Sequence, residues 1–277
     1  MTLIIIAMAV LLTAFAVWVI WANSALKLTK YNIKIENLPE ELSGFRIVQV
    51  SDLHNDEFGK DNCKLLEIIK NARPDIIALT GDLIDCRQPN IGVSLKFAEN
   101  ATKIAPCYYV SGNHEARIPE YRQAKADFTA LGVILLENES VNIHKNGKSI
   151  VLLGVDDPRF KEDNLISDIQ VMEEQISLLE RGRGDCSVLL SHRPELFDVY
   201  AKYKFNLVLS GHTHGGHIRL PFIGGIFAPY QGIFPKYDSG SFKKNSTEMI
   251  VSRGIKKSSV PPRFLNRPEI VLIELEN

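Results

Sequence analysis

The sequence predicts an α/β domain carried behind one membrane-spanning helix. Three observations lead there. Residues 3–22 carry a single polar side chain, Thr13. Apolar strand-like runs then alternate with helix-like stretches in two successive βαβ units, which implies parallel strands with helices packed on the sheet. Five apolar runs end in clusters of Asp, Asn and His. The rest of the composition is that of a globular chain: 277 residues, 45% hydrophobic, 23% charged, net charge -1. No basic field points to nucleic acid, and no nucleic-acid partner is expected. The four cysteines (Cys63, Cys86, Cys107 and Cys186) show no CxxC spacing and read as free thiols.

Residues 1–25 are the expected transmembrane anchor. At about 1.5 Å per residue the apolar run spans roughly 30 Å, the thickness of a bilayer core. Trp18 and Trp21 sit near its end, where interfacial indoles are expected. The run is longer than a signal-peptide core and no Lys or Arg precedes it, so an uncleaved single-pass anchor in the cell membrane is the reading taken. Lys27, Lys30 and Lys34 follow it, which places the domain on the cytoplasmic side by the positive-inside rule.

Residues 26–44 form a juxtamembrane segment with a first strand at 31–36, and residues 45–277 one further domain. Its expected strands lie at 45–50, 75–79, 107–110, 133–136, 141–144, 149–155, 186–190, 206–209, 248–251 and 270–275. Asn146-Gly147 gives a turn signal. Helices are expected at 62–72, 93–104 and about 163–181, each with apolar residues at helical spacing. No internal repeat appears, and nothing bears on oligomeric state.

The polar clusters follow the strands directly. Val50 runs into Ser51-Asp52-Leu53-His54, Leu79 into Thr80-Gly81-Asp82-Leu83-Ile84-Asp85, and Val110 into Ser111-Gly112-Asn113-His114-Glu115. Leu190 runs into Ser191-His192, and Leu209 into Ser210-Gly211-His212-Thr213-His214. Sites in open α/β sheets form at the carboxyl ends of strands. The steps from Asp52 to Asp82 and from Asp82 to Asn113 each match about one βαβ unit of roughly thirty residues. The clusters should therefore meet on one rim. Five of the seven histidines lie in them, His217 is adjacent, and His144 reads as a structural histidine of the core.

The ordered series Asp52-x-His54, Gly81-Asp82, Gly112-Asn113-His114-Glu115, His192 and Gly211-His212-x-His214 resembles the calcineurin-like metallophosphoesterase family. The Gly-Gly after His214, and the ending from Ser252-Arg253-Gly254 to Pro268-Glu269-Ile270, are similar to its membrane-anchored bacterial phosphodiesterase branch. That branch implies Gln where this chain has His217. The resemblance implies a two-sheet β-sandwich flanked by helices and a centre of two divalent metals. Asp52, His54, Asp82 and His214 would hold the first, and Asp82, Asn113, His192 and His212 the second, with Asp82 bridging. Without thiolates, Mn²⁺, Fe or Zn²⁺ suit such a site. Two such cations activate a bridging water and clamp a phosphoryl group, so a metal-bound hydroxide attacks in line. His114 would stabilise developing charge or protonate the leaving oxygen, and Asp85 would orient it.

Residues 220–235 are apolar and aromatic but too broken by Gly and Pro for a helix. They read either as a loop packed on the domain or as an apolar lip beside the site. Seven basic residues against Glu248 between 243 and 267 form either a solvated face or an attraction for anionic headgroups. His217, which reads equally as facing water, and Arg263 are the candidate substrate contacts. The function read from these features is phosphodiesterase action on a phosphodiester or pyrophosphate ester that is membrane- or lipid-linked. The rivals are a tethered phosphomonoesterase for a phosphoprotein or nucleotide, and a metal-binding scaffold without turnover. A metallo-β-lactamase-type hydrolase is disfavoured because its HxHxDH run is absent.

Overall fold

The computed structural model describes residues 1–161, 166–179, 184–257 and 262–277. An exposed apolar helix, α1 (Thr2–Ser24), leads into β1 (Lys27–Lys34). The first half then runs β2 (Arg46–Val50), α2 (Cys63–Ala72), β3 (Ile76–Thr80), α3 (Ile91–Ala101), β4 (Cys107–Val110), α4 (Tyr121–Ala130) and β5 (Ile134–Leu135). The second half runs β6 (Glu139–Lys145), β7 (Lys148–Gly154), α5 (Asp168–Leu178), β8 (Cys186–Leu190), α6 (Phe197–Lys202) and β9 (Leu207–Ser210). Two short hairpins follow: β10 (Arg219–Leu220) with β11 (Gly224–Gly225), and β12 (Phe227–Ala228) with β13 (Gly232–Ile233). The chain closes with β14 (Gly240–Lys244), β15 (Thr247–Val251) and β16 (Glu269–Glu276).

The strands form two six-stranded sheets, in the orders β1-β16-β2-β3-β4-β5 and β14-β15-β9-β8-β7-β6. The sheets pack face to face, because successive residues on a strand point to opposite sides. Ile76 and Ala78 of β3, Val188 and Leu190 of β8, and Leu207 and Leu209 of β9 fill the space between the sheets. Ile77 and Leu79 turn the other way, onto Leu65, Ile69, Phe97 and Phe128 of α2, α3 and α4. Leu189 and Val208 turn onto Met172, Ile176, Phe197 and Tyr200 of α5 and α6. Strands buried on both faces explain the continuous apolar runs. Each fully buried Leu or Ile contributes about 1.5–3 kcal/mol. The result is the expected helix–sheet–sheet–helix sandwich.

Most expected elements fall within a few residues of their places. α4 and α6 were not expected; they are ten and six residues long, and α4's buried stripe is only Tyr121, Ala124 and Phe128. α5 starts at Asp168, later than expected, because Ser167 and Gln170 form a reciprocal capping box. The expected helix start at 163 and end at 181 lie outside the described residues. His144 is exposed on β6 and is not a core group. Residues 220–235 pack down only in part: Ala228 is buried, but the two hairpins leave Phe222, Ile223, Phe227, Ile233 and Phe234 exposed.

Candidate metal centre

Strand register brings the clusters together. β2, β3 and β4 are adjacent and parallel, as are β8 and β9, so their carboxyl ends share a rim. Hydrogen bonds tie the two halves of that rim. Gln49 Nε2 donates to the Ser210 carbonyl at 2.8 Å, and the His212 amide donates to the Asp52 carboxylate at 3.1 and 3.2 Å. The backbone turns sharply there: Asp52, His54, Asp82, His212, His214 and His217 all take positive φ. Left-handed backbone at non-glycine residues is strained and persists where the surroundings fix it.

Two groups of side chains converge. In one, the His54 and His214 Nε2 atoms each lie 3.8 Å from Asp52 Oδ1. In the other, His192 Nε2 lies 3.3 Å from Asp82 Oδ2 and 3.0 Å from His212 Nδ1. Asp82 also connects to the first group, with Oδ2 3.5 Å from His54 Nε2. Asp52–His54–His214 and Asp82–His192–His212 each have ligand atoms close enough for one cation. His114 joins them at 4.0 Å from Asp82 Oδ2. Its Nδ1 is 3.3 Å from Asp85 Oδ1 and 3.1 Å from the backbone nitrogen of Cys86.

Both ring nitrogens of His54 and Asn113 Oδ1 are buried with no hydrogen-bond partner among the described residues, as are His212 Nε2 and His214 Nδ1, the ring nitrogens other than those that face His192 and Asp52. A buried polar atom left unpaired costs about 1–3 kcal/mol. Lone pairs from nitrogen and oxygen converging on two carboxylates fit divalent cations of intermediate hardness.

The electrostatics agree with that fit. Burial opposes ionisation of Asp52, but His214 and His54 beside it hold its carboxyl well below the usual range. Asp82 behaves likewise beside His192. Burial disfavours a charged His192, yet the Asp82 carboxylate outweighs it and raises that imidazole to about 10. His192 Nδ1 is 2.7 Å from the Thr80 carbonyl, which fixes its proton there and leaves Nε2 facing the cluster. Burial drives His54, His212 and His214 down, toward the neutral form that binds metal.

A cavity of about 660 Å³ opens over the cluster. His54, His114, His214, His217 and Arg263 line it, with Lys256 on its wall. Asp52, Asp82, Asn113, His192 and His212 are buried and do not line it. Arg263 is also buried; its Nε and Nη1 bond the Lys256 and Arg253 carbonyls, and Nη2 has no partner among the described residues.

A family model described as calcineurin-like phosphoesterase matches residues 45–216. The chain belongs to that family. An uncharacterised metallophosphoesterase of Bacillus subtilis, YkuE, is 31% identical over 90% of this chain and 85% of its own. A Bos taurus transmembrane protein with a metallophosphoesterase domain is 26% identical over 90% of this chain and 56% of its own. The structure of TT1561 from Thermus thermophilus matches with a TM-score of 0.51 at 14% identity, covering 77% of this chain and 91% of that one, a likeness of fold. Calcineurin-like phosphoesterases are phosphoric ester hydrolases that use two divalent metals, and the His/Asp clusters here suit them.

Glu115 reads from the sequence as a structural residue, and it is one; two further features, at Lys256 and Tyr230, escaped sequence reasoning. Glu115 accepts the amides of Asp82 and Gly112 at 2.9 Å and of Ile84 at 3.0 Å, so it fastens the β3 and β4 turns to each other. Lys256 pairs with Asp85 at 2.7 Å. Tyr230 lies between the Arg193 guanidinium, 3.7 Å from its ring centroid, and the His212 ring at 5.3 Å. The basic run pointed toward Lys256, whereas nothing local in the sequence marked Tyr230.

Proposed function

We propose that this metallophosphoesterase is a phosphodiesterase acting at a membrane surface on a lipid-linked phosphodiester or pyrophosphate ester. In this reading Asp52, His54, Asp82 and His214 hold one metal, and Asp82, Asn113, His192 and His212 the other, with Asp82 shared. Manganese, iron or zinc suits these donors. When bound, the two ions supply an activated water for in-line attack and neutralise charge on the phosphoryl group.

The chain's own residues do the rest. His114 stands on the cavity wall, outside both groups of four, and gives a proton to the departing alkoxide. Its Nδ1 takes the Cys86 amide at 3.1 Å and lies 3.3 Å from Asp85 Oδ1, which orients the ring with Nε2 toward Asp82. Burial opposes ionisation of Asp85, but His114, Lys256 and Arg87 bond it and hold it firmly ionised. Arg263, whose Nη2 has no hydrogen-bond partner among the described residues, turns to a phosphoryl oxygen, and His217, which burial keeps at about 4, meets the substrate as a neutral ring. α1 crosses the cell membrane once, with the catalytic domain of residues 45–277 on the cytoplasmic side.

The observation that carries this reading is the juxtaposition of a charged cavity with His114 on its wall and an exposed apolar hairpin beside it. The test is hydrolysis of bis-p-nitrophenyl phosphate against p-nitrophenyl phosphate by the detergent-solubilised full chain in Mn²⁺. Diester preference supports it. Monoester preference would replace it with a tethered phosphomonoesterase.

A further inference from the structure

The two hairpins of residues 219–234 carry an apolar surface that the described residues leave uncovered. Phe222 is fully exposed, and Ile223, Phe227, Ile233 and Phe234 are about half exposed or more. Residues 220–235 contain no charged side chain. The two hairpins are joined to each other and to the preceding strand end, because the Phe234 amide bonds the Ile226 carbonyl at 2.8 Å and the Ile226 amide bonds the Ile218 carbonyl at 2.9 Å. Asp238 pins their base, accepting from the Gly225 amide and from Arg219 Nη1. Phe222 and Phe234 take positive φ, where Gly or Asn is the ordinary choice, so large apolar groups are displayed at a backbone cost.

The base of this unit touches the end of α1. Ile218 forms a parallel bridge with Phe264, and the Arg219 amide donates to the Phe264 carbonyl at 3.0 Å. The Phe264 ring stands edge-on to Trp18 at 5.5 Å and 6.3 Å from Phe15. Asn23 closes the joint, donating to the Arg263 carbonyl at 3.1 Å and accepting the Arg263 amide at 2.8 Å. Arg267 lies over the Trp21 ring at 5.0 Å and donates to the Ala25 and Leu26 carbonyls. Indoles and a cation at a helix end are the signature of a membrane interface. The base of the apolar hairpins therefore lies beside α1 at the level of its tryptophans.

We propose that the hairpins of residues 219–234 are a second membrane contact, with Phe222, Ile223, Phe227, Ile233 and Phe234 entering the interfacial region of the phospholipid bilayer that α1 crosses. An apolar patch of this kind on a membrane-tethered domain is an interfacial anchor. His217 and Arg263, which line the cavity, are the immediate neighbours of the bridging pair Ile218 and Phe264. The contact accordingly holds the cavity wall against the bilayer surface, whichever ester the centre cleaves.

The test places an environment-sensitive NBD label at Phe222→Cys or Phe234→Cys in the full chain, with the accessible thiols removed as Cys63→Ser and Cys86→Ser. Lys96→Cys, on the outward face of α3, is the control. All are reconstituted in phosphatidylcholine–phosphatidylglycerol vesicles with and without doxyl-labelled lipid. The expected result is emission shifted to the blue and quenched by doxyl lipid at both hairpin positions, and neither effect at Lys96. Hydrated, unquenched emission at both hairpin positions would overturn the proposal. So would a blue shift without lipid quenching, which would mean that a second copy of the chain covers the patch. The exposure of Phe222 and Phe234 leaves folding out of the comparison.

Discussion

His114 stands on the cavity wall beside Asp82 but outside the two groups assigned to the metals, and that position makes its role testable. With His114→Ala, kcat on a diester should fall by about 10²–10⁴, while metal content measured by mass spectrometry stays at the wild-type level. Loss of metal together with activity would make it a ligand. Glu115 is a different kind of residue: its carboxylate accepts three backbone amides and does not line the cavity over the cluster. Glu115→Ala strands those donors at about 1–3 kcal/mol each, so the midpoint of thermal unfolding should drop by many degrees. Asp156 carries a pH dependence. Burial and the nearby Glu137 push it up to about 7. The native protein thus holds a proton there that the unfolded chain releases near pH 4. Ionising it costs stability as pH rises through that window. Asp156→Asn should therefore melt higher than wild type at pH 8, and the difference should shrink toward pH 4; a constant difference would refute the assignment.

At the scale of elements, the strand ends explain why glycines precede the ligands. A Cβ on Gly211 would lie 1.8 Å from Ser51 Oγ and 2.6 Å from Asp52 Oδ2, and one on Gly112 would lie 2.3 Å from Asp82 Oδ1. The two halves of the rim approach at Gly211, and the β3 and β4 turns approach at Gly112, only because these positions lack side chains. Gly211→Ala should displace Asp52, at an overpacking cost of about 1–3 kcal/mol, and reduce bound metal per chain. Much of this was legible in the sequence. Strands β4 and β8 fall on their expected residues because fully buried strands are continuous apolar runs bounded by polar clusters. The candidate metal residues were legible for the same reason, since each directly follows such a run. What could not be read was long-range or short. α6 is six residues, too few for a period to show. The pairing of β1 with β16 joins residues some 240 apart, and the seating of Tyr230 between Arg193 and His212 depends on tertiary contacts alone. The apolar stretch from Leu220 to Pro235 had two readings until its exposure distinguished them.

The whole molecule couples three things: a sandwich that sets the rim, a His/Asp cluster that bridges its two sheets, and a helix joined to the cavity wall through Asn23 and Arg263. The candidate ligands come from both sheets, so bound metal should stabilise the entire fold, by about 2.7 kcal/mol at a hundredfold excess over Kd. Chelation should lower the unfolding midpoint in detergent, and Mn²⁺ should restore it. The central claim is a two-metal centre built on a shared Asp82. The most direct measurement is a titration of the metal-free full chain with Mn²⁺, following bound ions per chain and diester hydrolysis together. The account predicts two ions at saturation, activity that appears with the second, and loss of that second ion in Asp82→Asn. Full activity with one ion, or two ions retained by Asp82→Asn, would contradict it.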